Sequence, residues 1–160
     1  MAEFIKAKPE EAKELSELRR KVWETTYRGI YPDKMIDNFD YAFHNEKDFL
    51  RITSDEFEVF LICEGQEKIG YLILQKKRPL LYVQSLYLIE EFRKKGIGRK
   101  AFEIIRGFCR ENGYNKFYLG CHPQNQNALG FYEKMGGIIT ARDEGHKNNR
   151  ENSLTIEFEV

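Results

Sequence analysis

A chain of 160 residues has room for one domain with a sizeable core and too little for two ordinary ones. Hydrophobic residues at 41% and charged residues at 32% exclude a disordered chain. The balance of 26 basic against 26 acidic residues argues against a globally basic nucleic-acid binder, so no nucleic-acid partner is expected. No stretch approaches the roughly 18 apolar residues of a membrane span. Residues 1–6 mix both charge signs without an apolar signal-peptide core, and no membrane partner is expected. Cys63, Cys109 and Cys121 lie in apolar segments without CxxC spacing, which predicts buried thiols and a reducing, cytoplasmic location. Cys121 and His122 have no second pair to complete a tetrahedral site, so no metal is expected.

In chain order, residues 3–8 read as a short strand. Pro9 is acceptable in a first helical turn, and Glu10 and Glu11 suit the positive end of a helix dipole. Ala12, Leu15, Leu18 and Val22 keep a helical period to about residue 25. Gly29 and Pro32 break it, and helical pieces without clear limits follow between 33 and 52. Apolar runs at 58–63 and 68–75 flank a hairpin turn at 64–67, and 81–89 is a third strand. Ile97, Ala101, Ile104, Ile105 and Phe108 return to helical spacing, with Gly113 as the C-terminal cap. A strand at 116–121, a helix at 126–135 and strands at 138–142 and 153–160 around a polar loop complete the chain. The order β-α-α-β-β-β-α-β-α-β-β predicts an α/β fold, a mixed central sheet of six to seven strands with helices on both faces.

Charge is distributed unevenly along this frame. Residues 33–58 carry eight acids and three bases, whereas 76–100 carry eight bases and two acids. Two solvated faces would give that pattern, and so would a site with an anion-binding side and a cation-attracting side.

The segment Arg93-Lys94-Lys95-Gly96-Ile97-Gly98 joins an apolar strand to an amphipathic helix. Unpaired amides at a helix start, glycines without a Cβ and basic side chains together suit a pyrophosphate. The spacing is neither GxGxxG nor GxxxxGK[ST], and a plain glycine-capped basic turn would share these features. The segment nevertheless resembles the acetyl-CoA signature Gln/Arg-x-x-Gly-x-Gly/Ala of the GNAT superfamily of N-acetyltransferases, at Arg93, Gly96 and Gly98. A second GNAT motif, Asn-x-x-Ala-x-x-Phe-Tyr-x-x-x-Gly-Phe, is matched by Asn125, Ala128, Phe131, Tyr132 and Gly136, with Gly137 in place of the last Phe. The resemblance runs from about residue 58 to the end and implies a single GNAT-like domain over 1–160.

It also implies roles. Leu86, Tyr87 and Leu88 would pair their backbone with the pantetheine arm of acetyl-CoA, as an added strand does. Arg93, Lys94, Lys95, Gly96, Ile97, Gly98 and Arg99 would form the pyrophosphate loop, and Asn125 would hydrogen-bond the cofactor. Tyr132 would place its hydroxyl by the thioester sulfur; a core aromatic on the Ala128–Phe131–Met135 face is the alternative. The implied reaction is attack of an amine on the thioester. An ammonium of pKa about 10.4 is roughly one part in 2,500 neutral at pH 7, a cost near 4.6 kcal/mol, so a base or water chain must take its proton. Some relatives carry a Glu near the places of Gln84 and Gly120, neither of which can act as a base, and none is assigned.

For the acceptor, 23–32 resembles a loop of bacterial small-amine acetyltransferases, which makes Trp23, Tyr27 and Tyr31 substrate-binding candidates. Residues 118–120 and 125–128 resemble the polyamine-acetylating branch, and the acidic segment 33–58 would suit a polycation. The expected partner is a small-molecule amine; a homodimer through an open sheet edge is a further possibility. A non-catalytic acyl-CoA-binding module is the competing function.

Overall fold

The computed structural model describes residues 1–144 and 152–160. Its elements are β1 (Ala2–Lys6), α1 (Ala12–Thr26), α2 (Asp33–Asp37), α3 (Tyr41–Thr53), β2 (Phe57–Glu64), β3 (Glu67–Gln75), β4 (Leu81–Leu88), α4 (Ile97–Asn112), β5 (Lys116–Cys121), α5 (Gln126–Lys134), β6 (Ile138–Asp143) and β7 (Ser153–Glu159). The order matches the expectation from sequence, and the polar loop between the last two strands lies largely outside the described residues. Strand β1 begins and ends earlier than the apolar pattern indicates. Pro9–Glu11 forms a separate 3-10 turn ahead of α1, tied by the Lys8 amide donating to Glu11 Oε1 at 2.8 Å. The unlimited helical region resolves into two helices, and Asp40 caps the second by accepting from the Phe43 amide at 3.0 Å.

Seven strands form one sheet in the order β1-β2-β3-β4-β5-β7-β6. All pairs are antiparallel except β4–β5. Both faces are covered, which explains the continuous apolar run of β3. Leu72 and Leu74 face Phe102, Ile105 and Cys109 of α4 and Tyr132 of α5. Tyr71 and Ile73 face Leu15, Leu18 and Val22 of α1. Each fully buried aliphatic side chain in these layers is worth about 1.5–3 kcal/mol against exposure.

The parallel pair is short: Leu81, Tyr82 and Val83 match Phe117, Tyr118 and Leu119, and no later residues of either strand pair with the other. Across β3 the register shifts at the same place, with Ile73 opposite Ser85 and Leu74 opposite Val83, so Gln84 is the extra residue of a bulge. A bulge bends its strand and raises the local twist. Here it turns β4 away from β5, and the sheet forks. β5 stays with β7 through Cys121.

A buried ion cluster joins α1 to α3. Asp48 is fully buried; its Oδ1 accepts from Arg19 at 2.6 Å and Arg51 at 3.0 Å, and its Oδ2 from Ser16 at 3.3 Å. Burial, and then the nearby Arg19 charge, pull the Arg51 pKa down. Two guanidinium groups share one carboxylate, so removing that carboxylate leaves buried positive charge uncompensated. Asp48→Ala is expected to lower unfolding free energy by about 3–5 kcal/mol, read from the urea midpoint at unchanged m value. A loss below about 1 kcal/mol would mean the cluster is not a structural determinant.

Candidate active site

The loop between β4 and α4 is built to expose amides. Lys94 at φ 62° and Gly96 at φ 83° are both left-handed, and Gly96 caps α4 without a side-chain bond. Lys100 donates to the Gly96 carbonyl, the first backbone bond of the helix, so the amides of Ile97, Gly98 and Arg99 precede it. Left-handed turns set successive N–H groups in a concave, anion-binding arrangement. An open depression of about 530 Å³ adjoins this loop, with Lys95 and Lys100 on its wall.

Gly98 has a second reason to be glycine. A Cβ there would meet Phe131 of α5 at 2.8 Å, so the close approach of a neighbouring helix by itself requires glycine. Gly137 is similar: its Cβ would lie 2.6 Å from Ile156 and 2.8 Å from Phe158. No phenylalanine fits there, which accounts for the one departure from the second motif.

The fork exposes one edge of β4. Ile89 donates to the Ile69 carbonyl across β3–β4, and by alternation the polar groups of Leu86 and Leu88 point to the opposite edge, toward β5. The Leu88 carbonyl accepts from Arg93 Nε at 3.0 Å, which leaves the Leu86 groups as the backbone pair an extended ligand arm can reach. Tyr87 points to the other face of the sheet, where it packs at 5.6 Å from Tyr71. The Arg93 guanidinium is turned away from the loop and toward α1, donating also to Thr25 at 3.1 Å and Thr26 at 2.8 Å.

Tyr132 and Asn125 stand on α5. Asn125 Oδ1 caps the helix by accepting from Ala128 at 3.4 Å, so its amide nitrogen is the part able to serve a ligand. Tyr132 is buried beside Phe102, Phe131 and Phe158, and it shares its face with Cys121 at the end of β5. Burial, followed by the Cys121 thiol, pushes its pKa well up, so the phenol keeps its proton at neutral pH. All three thiols are free and buried, and burial pushes Cys109 up to about 11 and Cys121 to about 12. Among the described residues no group of three or more His, Cys, Asp or Glu side chains could hold a metal, and no helix is long and apolar enough to cross a membrane.

Trp23, Tyr27 and Tyr31 do come together. Tyr27 stacks on Tyr31 at 4.1 Å, and Trp23 meets Tyr31 edge-on at 5.4 Å. Tyr27 is buried and its hydroxyl is hydrogen-bonded to that of Tyr87, so Trp23 and Tyr31 are the half-exposed members. Burial pushes both tyrosine pKa values up. The Tyr87 hydroxyl is a contact that residue spacing does not disclose. Gln84 likewise gains meaning only in the fold: its Oε1 is buried at the fork without a hydrogen-bond partner.

The acidic segment is less bare than its composition suggests. Asp33 and Asp37 bind Arg28, Asp48 binds Arg19 and Arg51, and Glu58 binds Lys6 and Lys76. Arg28 also holds Glu24, whose pKa it draws down to about 2.

The chain belongs to the acetyltransferase (GNAT) family, whose model matches residues 14–137. As a member, it is an acetyl-CoA-dependent N-acetyltransferase. It is 28% identical to a spermidine N(1)-acetyltransferase of Thermoplasma acidophilum over 149 residues, 88% of this chain and 91% of that protein. It is 32% identical to N-alpha-acetyltransferase 50 of Danio rerio over 57 residues, 35% of this chain and 34% of the relative. In fold it is similar to the crystal structure of PaiA N-acetyltransferase from Thermoplasma acidophilum in complex with coenzyme A, with TM-score 0.88 at 22% identity, covering 100% of this chain and 99% of the other.

Gly98→Ala is expected to lower stability by about 1–3 kcal/mol through overpacking, and adding Phe131→Leu should recover about half of it. Thermal melts without acetyl-CoA test this. An unchanged melting temperature in the single variant would show that Gly98 is needed only for a ligand.

Proposed function

We propose that the chain transfers the acetyl group of acetyl-CoA to a primary amine of a small molecule, with polyamines as the first acceptor class to test. The observation that carries this reading is the fork beside β4, flanked by the amides of α4 and by Tyr132 of α5. In the proposed reaction the amine nitrogen attacks the thioester carbon, a C–N bond forms, and the C–S bond breaks with its electron pair on sulfur. The Tyr132 hydroxyl donates a hydrogen bond to that sulfur. Even at ordinary values, full proton transfer from a phenol to a thiolate is uphill by about 2 kcal/mol. Burial of Tyr132 widens that gap, so a transition-state hydrogen bond is the favoured role. The amine's proton passes to a water chain or a base, and neither Gln84 nor Gly120 can take it.

Two features support a polyamine. The relative covering most of the chain carries the name spermidine N(1)-acetyltransferase, and Trp23 and Tyr31 offer aromatic surface that attracts ammonium groups and methylene chains. Electrostatic steering contributes less than composition implies, because Asp33, Asp37, Asp48 and Glu58 are already paired. Thiol release from acetyl-CoA, measured over polyamines, amino acids, aminoglycosides and peptide N-termini, should be fastest with a polyamine. Release no faster than background with polyamines, beside turnover of another class, would overturn the polyamine reading.

Tyr132→Phe keeps the ring in its aromatic cluster and removes the donor. It should lower kcat about 10²-fold, or about 2.7 kcal/mol, with acetyl-CoA affinity nearly unchanged. A fall below about threefold, with chemistry limiting, would reduce Tyr132 to a packing residue.

A further inference from the structure

We propose that Arg93 is a positioning residue for the acceptor wall: its guanidinium braces the end of α1, and the loop behind it, against the edge of β4. The proposal deepens the acetyltransferase reading and rests on it for its kinetic part. Arg93 stands first in the acetyl-CoA signature, where a cation invites assignment to a phosphate. The geometry points elsewhere. Its Nε donates to the Leu88 carbonyl at 3.0 Å, and its Nη2 donates to Thr25 Oγ1 at 3.1 Å and Thr26 Oγ1 at 2.8 Å. The three acceptors lie on two different elements, the last residue of β4 and the last two residues of α1.

What the brace holds is the candidate acceptor wall. Tyr27 follows Thr26 directly, stacks on Tyr31 and is hydrogen-bonded through its hydroxyl to Tyr87 of β4. Trp23 lies one turn earlier on α1 and meets both tyrosines edge-on, at 6.3 and 5.4 Å. The wall therefore meets β4 at two places, the tyrosine pair and the Arg93 fork. A guanidinium suits the second place because its planar donors diverge, so one side chain can reach both a strand carbonyl and two hydroxyls. A lysine has a single ammonium on a flexible stem and cannot hold that spread. Arg93 is also three residues from Gly96, so the backbone turn that presents amides to a diphosphate is the one that aims this brace.

The chain has one tryptophan, Trp23, and it sits in the braced wall, which gives a readout independent of any acceptor. Two variants approach the contact from opposite sides: Arg93→Lys, and Thr25→Val with Thr26→Val, which leaves the cofactor loop untouched. In both, acrylamide quenching of Trp23 should rise about twofold while acetyl-CoA affinity by calorimetry changes less than about threefold, as expected for groups acting as one unit. With spermidine as acceptor, KM should rise about tenfold or more in both, with a smaller change in kcat. The triple variant should be no worse than either parent, because the same contact is already lost.

An acetyl-CoA dissociation constant raised about tenfold in Arg93→Lys, with Trp23 quenching unchanged, would overturn the proposal and make Arg93 a phosphate ligand. Quenching effects that simply add in the triple variant would overturn it too, since the two sides would then act separately. If spermidine is not acetylated at all, the acceptor reading fails, while the quenching and calorimetry still decide the role of Arg93.

Discussion

Leu81, Tyr82 and Val83 are the whole of the contact in which β4 runs parallel to β5, and the rest of the site depends on where that contact stops. Beyond it a strand edge lies open in the middle of a seven-stranded sheet, a position where unpaired N–H and C=O groups ordinarily find neighbours. The bulge at Gln84 is the local cause: one extra residue bends β4 after its last pair with β5. β5 cannot follow, because its other edge is paired with β7 along its full length. The edge thus left at Leu86 is kept open by the competition between two pairings.

The free Leu86 edge, the amides at the start of α4, and Tyr132 lie around that opening. The amides of α4 begin where the β4 edge ends, after a short 3-10 turn at Glu90–Phe92. Helix α5 follows β5 after a few residues and lays Tyr132 against Phe102 of α4 and Phe158 of β7. Gly98 lets α4 and α5 approach closely, since any side chain there would enter the ring of Phe131. The distance between the start of α4 and Tyr132 is therefore set by a helix contact as much as by the loop.

The opposite face carries α1 and α3, with the Trp23–Tyr27–Tyr31 cluster proposed for the acceptor, and is held by charge as well as by apolar contact. Asp48 with Arg19 and Arg51 ties α3 to α1, and Arg28 gathers Glu24, Asp33 and Asp37 around the α1–α2 loop. The first cluster is buried, where losing a partner is costly; the second is exposed, where such pairs contribute little to stability. Together with Lys6 and Lys76 on Glu58, these pairs occupy four carboxylates of the acidic segment, Asp33, Asp37, Asp48 and Glu58, mostly with cations from outside it. For the proposed amine acceptor, the half-exposed Trp23 and Tyr31 add aromatic surface to the charge that remains.

The order of elements was legible in the sequence because its signals are local. Apolar runs and helical spacing marked strands and helices, and Gly113 capped α4 in the left-handed conformation. The two motifs also pointed to the family, since each lies within a short run of chain. Other features were decided only by the tertiary structure. The fork depends on a one-residue bulge that leaves no mark in a hydrophobic pattern. The Arg93 guanidinium could have faced a phosphate, and its threonine partners stand 67 and 68 residues away. The Tyr27–Tyr87 hydroxyl pair spans 60 residues, and the pairing of Asp48 with Arg19 spans 29. Charge counts give the number of carboxylates but not their partners, because a partner is chosen by which side chains the packed sheet and helices bring within reach.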